Sequence, residues 1–136
     1  MPFTYAIDAP HRIVTTSATG VVTMEDILFV RQRLQSDAAF DPQFHQLLDL
    51  RAATDIAIAA PSMRRIYGRS VFVLGVRRAF VAETAEQFGI ARMFAALSEH
   101  YGHDVRVFRD FDLAVAWLRE HTPSEAMAPV RGTQRG

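Results

Sequence analysis

The sequence predicts an α/β domain built on a mixed five-stranded sheet with about four helices. Two short segments with alternating apolar residues open the chain on either side of a turn, which predicts an antiparallel pair of strands. Three further short apolar runs each follow a segment with helical periodicity. Because a helical connection returns the chain in the same direction, these three strands are expected to be parallel. The last of them, residues 105–108, leads directly into an amphipathic helix beginning at Asp110.

The first two strands are indicated by their residue types. Phe3, Tyr5 and Ile7 alternate with small or polar residues, as in a strand with one buried face. Residues 12–18 are rich in Ile, Val and Thr, which favours a strand, and Gly20 is expected to end it.

The first helix and the third strand follow. Thr23 is expected to cap the helix, since a threonine hydroxyl accepts a hydrogen bond from the first helical turn. Residues 46–50 form a short, mostly apolar run suited to a strand covered on both faces. Residues 51–60 are expected to be a long connection, followed by a helix from Pro61 toward Phe72. The apolar residues of the first helix recur at helical spacing and are Met24, Ile27, Val30 and Leu34.

The second half of the chain has equally local signals. Residues 77–82 favour a strand, and Thr84 with Gln87 three residues later forms a capping box for the next helix, which Gly102 is expected to end. A single domain is expected over residues 1–121. Residues 122–136 are rich in Pro, Ser, Gly and charge, which indicates a flexible tail.

Composition narrows the classes of function. The formal net charge is zero, from 15 basic and 15 acidic residues, so no nucleic-acid partner is expected. The chain has no cysteine, which excludes disulfides and cysteine-ligated metals. The sequence has neither a long apolar run nor the pattern of a signal peptide, so no membrane span and a cytoplasmic location are expected. A homodimer is expected, because a small domain often covers its spare apolar surface with a second copy.

Polar residues follow the ends of the predicted parallel strands. Ligands of open α/β sheets bind beyond the carboxyl ends of the strands, where helix N-termini also offer free backbone N–H groups. The candidate residues for binding a ligand or partner at this edge are Asp49, Arg51, Thr54, Glu83, Thr84, Phe88, Arg109 and Asp110. Structural alternatives stay open: Thr84 and Asp110 as helix caps, and Asp49 with Arg51 as an ion pair.

No catalytic residue, metal or cofactor is assigned. The chain has no nucleophile elbow, phosphate-binding loop or dinucleotide-binding glycine motif. His100, His103 and Asp104 could form a metal corner, but no further ligand is placed near them in the sequence.

Four segments together resemble a known family. They are residues 20–26 at the entry to the first helix, residues 48–51, residues 89–97 and residues 105–109. Over about residues 3–120 the chain resembles the SpoIIAA-like, or STAS/SEC14-like, small proteins. The resemblance implies a mixed sheet with helices packed around it. For the anti-anti-sigma branch it also implies regulation by a partner protein, with a switch serine at the start of the helix after the third strand.

The sequence departs from that branch at the switch. An Asp-Ser-Ser-Gly-type turn is expected there, but residues 56–60 contain no serine, and Ser62 is displaced and follows Pro61. Phosphorylation switching is therefore not supported by these residues. The SEC14-like relationship implies, in addition, a small lipophilic ligand.

Three functions are consistent with these observations. The first is a non-enzymatic regulatory or protein-interaction module of STAS-like type. The second is a carrier of a small apolar ligand, which requires an enclosed pocket lined by Phe72, Phe80, Phe88, Phe94 and Phe108. The third is an enzyme, which requires Asp49, Arg51 and Glu83 to converge with perturbed pKa values. We expect the first.

Overall fold

The computed structural model describes residues 3–57, 61–62, 75–100 and 102–120. Within these residues it has five strands and three helices. In chain order they are β1 (Phe3–Asp8), β2 (Ile13–Thr23), α1 (Met24–Gln35), β3 (His45–Ala57), β4 (Arg77–Val81), α2 (Ala85–His100), β5 (Asp104–Phe108) and α3 (Phe111–Arg119).

The five strands form one sheet in the order β1-β2-β3-β4-β5. β1 and β2 are antiparallel, and every other neighbouring pair is parallel. The predicted fold class is therefore confirmed. Beyond Pro61 and Ser62, the predicted helix toward Phe72 lies outside the described residues, as does the tail predicted over 122–136.

Helices cover both faces of the sheet, because successive residues of a strand point to opposite faces. On one face α1 and α2 pack against a core in which Phe80 meets Phe94 edge-on, with ring centroids 6.2 Å apart. On the other face α3 packs through Trp117 and Leu118. Among the described residues, no helix is long and apolar enough to cross a membrane.

The predicted helix caps are present. The Thr23 hydroxyl accepts a hydrogen bond from the Asp26 backbone, and the Asp26 carboxylate accepts one from the Thr23 backbone N–H at 2.8 Å. Asp110 caps α3 by accepting a hydrogen bond from the Leu113 N–H at 3.1 Å. Gly102 follows α2 with φ +92°, the left-handed conformation expected of a glycine after a helix.

Two sequence predictions about strand length are wrong. Gly20 does not end β2, which continues to Thr23 through register shifts around Gly20 and a φ of +67° at that glycine. The predicted connection over 51–60 begins as strand instead, since β3 runs on to Ala57. Both extensions have one cause: the ends of β2 and β3 pair with each other, from Thr19–Ala52 to Thr23–Ala57.

Candidate functional site

All of the candidate residues except Thr54 lie where β4 stops pairing with β3 and β5. Asp49 is opposite Val81, and Val81 is opposite Phe108, so the last residues of β4 and β5 share one edge with the middle of β3. Arg109 follows Phe108 directly, and Glu83 lies two residues after Val81. We call this edge the rim, formed by Asp49, Arg51, Glu83, Phe88, Arg109, Asp110 and Phe111.

Asp49 and Arg51 form a two-pronged ion pair. Arg51 donates from Nε to Asp49 Oδ1 and from Nη2 to Oδ2, both at 2.9 Å. The Asp49 side chain is 16% exposed and that of Arg51 is 37% exposed. Partial burial acts to raise the pKa of Asp49, but the hydrogen bonds from Arg51 outweigh it and hold the pKa below its ordinary value. Asp49 is thus an ionised partner of Arg51, as the structural alternative supposed.

Two arginines of the rim lie on phenyl rings. The Arg51 guanidinium carbon is 5.1 Å from the centroid of the Phe111 ring. That of Arg109 is 4.4 Å from the Phe88 ring, and its Nη1 donates to the Glu83 carbonyl at 3.3 Å. Stacking on a ring limits the motion of a guanidinium while leaving its outer N–H groups in water.

Negative charge alternates with these arginines. The hydrogen bonds that Arg51 donates to Asp49, together with the charges of Asp49, Glu83 and Asp110, raise the pKa of Arg51 above its ordinary value, although partial burial opposes the shift. The exposed surface of the rim is therefore mixed in charge and apolar between the charges.

Gln87 is a structural residue of this edge whose main role sequence reasoning missed. Its Nε2 donates to the carbonyls of Arg51 at 3.0 Å and Ala53 at 2.9 Å. Its Oε1 accepts from the backbone N–H groups of Glu83 and Thr84 at 2.9 and 3.1 Å. The capping box with Thr84 is thus confirmed. The Gln87 side chain also provides hydrogen-bond donors for carbonyls of β3 that lie beyond the part of β3 paired with β4. The spacing of Thr84 and Gln87 signals the cap, but no local pattern signals the bonds to β3.

The candidate residues differ in their surroundings. Contacts and charge interactions bring Arg51 together with Asp49, Glu83 and Asp110. Phe88 joins the rim beneath Arg109. Thr84 accepts from the Gln87 backbone N–H at 3.1 Å, as a cap does. Thr54 is exposed further along β3, and among the described residues its side chain has no hydrogen bond to the others.

The aromatic residues proposed to line a ligand pocket are divided by the sheet. Phe80, Phe88 and Phe94 belong to the core under α1 and α2. Phe108 lies on the opposite face, 5.8 Å from the Trp117 ring. Phe72 lies outside the described residues. The described members of the set therefore do not line one cavity.

The structure also describes the surroundings of His103, one of the three residues considered as a metal corner. His103 is buried, and burial, with a smaller effect of Arg78, lowers the pKa of its imidazole to about 4. Within the described ranges, no group of three or more His, Asp or Glu side chains is arranged to hold a metal ion.

Comparison with known proteins identifies the fold. The chain matches no protein-family model, and no curated protein matches it significantly. Among solved structures it is similar to the crystal structure of an uncharacterized protein of the DUF3478 family, with a SpoIIAA-like fold, from Shewanella loihica PV-4. The TM-score is 0.62 at 19% sequence identity, over 85% of this chain and 93% of that chain. The resemblance expected from the sequence is therefore confirmed at the level of fold: this chain has a SpoIIAA-like fold.

Proposed function

We propose that this protein is a non-enzymatic regulatory or protein-interaction module that binds a partner protein through the rim. The observation that carries the proposal is the pair of arginines held on phenyl rings, Arg51 on Phe111 and Arg109 on Phe88. Arginine and aromatic side chains are enriched among the residues that dominate protein–protein binding energy. Because the rings already restrain both guanidiniums, less side-chain entropy is lost when a partner binds.

The state of the rim carboxylate argues against acid–base catalysis. Asp49 is held ionised by two hydrogen bonds from the Arg51 side chain, and its pKa is lowered. A general acid or base for neutral pH needs a pKa near 7, which requires a shift in the opposite direction. The Asp49–Arg51 pair serves instead to orient the guanidinium over Phe111.

The chemistry of the rim favours a partner of mixed charge. Glu83 and Asp110 lie beside Arg51, so a polyanion such as nucleic acid meets repulsion as well as attraction there. A folded protein surface that offers carboxylate or carbonyl acceptors to Arg109, with an apolar contact to Phe88, matches this pattern.

The test compares two arginines in similar settings. Arg109→Ala removes one of the two stacked arginines of the rim, the one on Phe88. Arg106→Ala removes an exposed arginine 5.0 Å from the Trp117 ring, upstream of the rim in β5, and is the matched control. Tagged wild type and both variants are expressed in the source organism, co-purifying proteins are quantified, and the affinity of any candidate partner is measured with purified proteins.

We expect Arg109→Ala to weaken binding of the partner by about tenfold or more, as truncation of a central interface arginine does. Arg109→Lys should recover only part of the affinity, because lysine keeps the charge but not the planar fork. Arg106→Ala should leave the affinity within about twofold of wild type. Equal losses for Arg109→Ala and Arg106→Ala, or no partner that binds the purified protein, would contradict the proposal.

A further inference from the structure

We propose that two copies of this chain join β1 to β1 in an antiparallel pair, forming a two-fold dimer with a continuous ten-stranded sheet. β1 is an edge strand, and within the described residues nothing pairs with its outer side. This surface is distant in the sheet from the rim, so the inference does not depend on the proposed function.

The edge at β1 lacks the features that normally prevent strand pairing. From Phe3 to Ile7 the strand has no charged residue and no proline, and its pairing with β2 runs without a bulge. The opposite edge differs, because β5 carries exposed Asp104 and Arg106. Charged side chains are a usual protection of an edge strand, so β1 is the edge suited to a further strand.

The hydrogen-bond pattern shows which backbone groups of β1 face outward. His45 N–H donates to the Arg12 carbonyl at 2.8 Å, so Arg12 faces β3 and the next residue, Ile13, faces β1. Alternation along β2 and the antiparallel register then direct the backbone groups of Asp8, Ala6 and Thr4 toward β2. The outward-facing N–H and C=O groups accordingly belong to Phe3, Tyr5 and Ile7.

This spacing is symmetric about Tyr5. In a two-fold antiparallel pair centred there, Tyr5 lies opposite the second copy's Tyr5, and Phe3 lies opposite the second copy's Ile7. The outward groups then form about six hydrogen bonds, two for each facing pair. Their side chains lie on the face covered by α1, where Tyr5 and Ile7 are only partly buried and can pack across the axis.

Helix α1 is positioned to complete the interface. It packs against β1 and β2, and an open pocket of about 490 Å³ lies in the seam that it forms with β1. The pocket is lined by Tyr5, Phe29, Gln32, Arg33, Ser36 and Asp37. Phe29 is 41% exposed. A two-fold axis perpendicular to the sheet places both copies of α1 on the same face, about 10 Å apart by the usual strand spacing, which is a normal helix packing distance.

A second copy also matches the charges of this seam. Arg33 and Asp37 contribute one positive and one negative group to it, and Tyr5 Oη donates to Asp37 Oδ2 at 2.8 Å. In two antiparallel helices related by a two-fold axis, Arg33 of each copy lies toward Asp37 of the other copy. With a formal net charge of zero, the chains have no overall repulsion to overcome.

The test uses the register that the symmetry dictates. In this dimer Thr4 lies opposite the second copy's Ala6, and both side chains are exposed in the single chain. The variant Thr4→Glu/Ala6→Glu puts like charges directly opposite each other at two symmetric places. The variant Thr4→Lys/Ala6→Glu puts opposite charges there. Ala96→Glu/Ala116→Glu adds the same two charges at exposed positions on α2 and α3 and is the matched control.

Mass and dissociation constant are measured by sedimentation and light scattering of the full chain across a concentration series, with folding checked by circular dichroism. We expect wild type and the control to reach twice the chain mass of 15.3 kDa. The Glu/Glu variant should dimerise about tenfold more weakly, and the Lys/Glu variant should recover at least the wild-type affinity.

Three results would overturn the inference. A wild type that stays monomeric at high micromolar concentration means that the edge is covered by another part of the chain. A Glu/Glu variant that dimerises as wild type does means that the interface lies elsewhere. A Lys/Glu variant as weak as the Glu/Glu variant means that the strands do not pair in this register.

Discussion

Replacing Gln87 should destabilise the fold more than its position at a helix start suggests. The side chain is 7% exposed, and its amide makes four hydrogen bonds to backbone groups of β3 and of the residues before α2. Methionine has a similar length and flexibility, so Gln87→Met keeps much of the packing while removing all four bonds.

The expected loss follows from the two kinds of partner. A hydrogen bond contributes about 1 kcal/mol net, and a buried group left unpaired costs more. The carbonyls of Ala53 and Arg51 accept these bonds in buried or partly buried surroundings, so both are left unpaired when the amide is removed. The N–H groups of Glu83 and Thr84 lie near solvent and can bind water instead. If each bond to a carbonyl contributes about 1 kcal/mol and each bond from an N–H group about half of that, Gln87→Met lowers the free energy of unfolding by about 3 kcal/mol.

Urea denaturation at pH 7, followed by circular dichroism, measures this loss. Gln35→Met is the control, since Gln35 is an exposed glutamine of α1 and its replacement should change stability by less than about 0.5 kcal/mol. A loss below about 1 kcal/mol for Gln87→Met would refute the view that this amide joins β3 to α2.

Gln87→Glu separates the two halves of the contact. It keeps acceptors for the Glu83 and Thr84 N–H groups but turns an oxygen toward the carbonyls of Arg51 and Ala53. That repulsion raises the pKa of the introduced carboxyl above its unfolded value. The variant should therefore lose stability relative to wild type as the pH rises through that raised pKa.

Two further predictions concern single positions. Gly89 is exposed within α2, and nothing lies within 4 Å of the position that a Cβ would occupy. Gly89→Ala should therefore raise the free energy of unfolding by about 0.5–1 kcal/mol. A melting temperature below that of wild type would contradict this. Burial lowers the pKa of His103 to about 4, so the unfolded chain binds a proton below about pH 6.5 that the folded protein rejects. When the pH falls from 7 to 4.5, the free energy of unfolding of wild type should therefore decrease by about 1–2 kcal/mol more than that of His103→Gln, after allowance for solvent screening. Urea titrations at both pH values measure this difference. Equal losses in the two proteins would rule it out.

Elements with a local physical cause could be predicted from the sequence. The alternation of β1, the Thr23 cap and the capping box of Thr84 and Gln87 each depend on residues within a few positions of one another. The parallel arrangement of the later strands also follows from the sequence, because helical connections leave little choice of direction. The rim could be located for the same reason, since it is the common edge at which parallel strands end.

Strand length could not be predicted in this way. In residues 51–57 only Thr54 and Ile56 favour a strand, and they stand among Arg51, Asp55 and three alanines, which do not. They are extended because their backbone pairs with the end of β2, more than 30 positions earlier in the chain. Gly20 fails as a stop signal for the same reason, since its positive φ is absorbed by a register shift in that pairing.

The sequence by itself determined the type and order of the described elements and the edge at which polar residues follow the parallel strands, because periodicity and capping act over one or two turns of chain. It did not indicate that Thr54 lies away from the rim or that Phe111 belongs to it. Only the tertiary structure decided which of those polar groups engage one another: that Arg51 lies between Asp49 and Phe111, and that Gln87 bonds across to β3. Hydrogen bonds and ring contacts extend over only a few ångströms, so their partners are known only once distant segments are brought side by side.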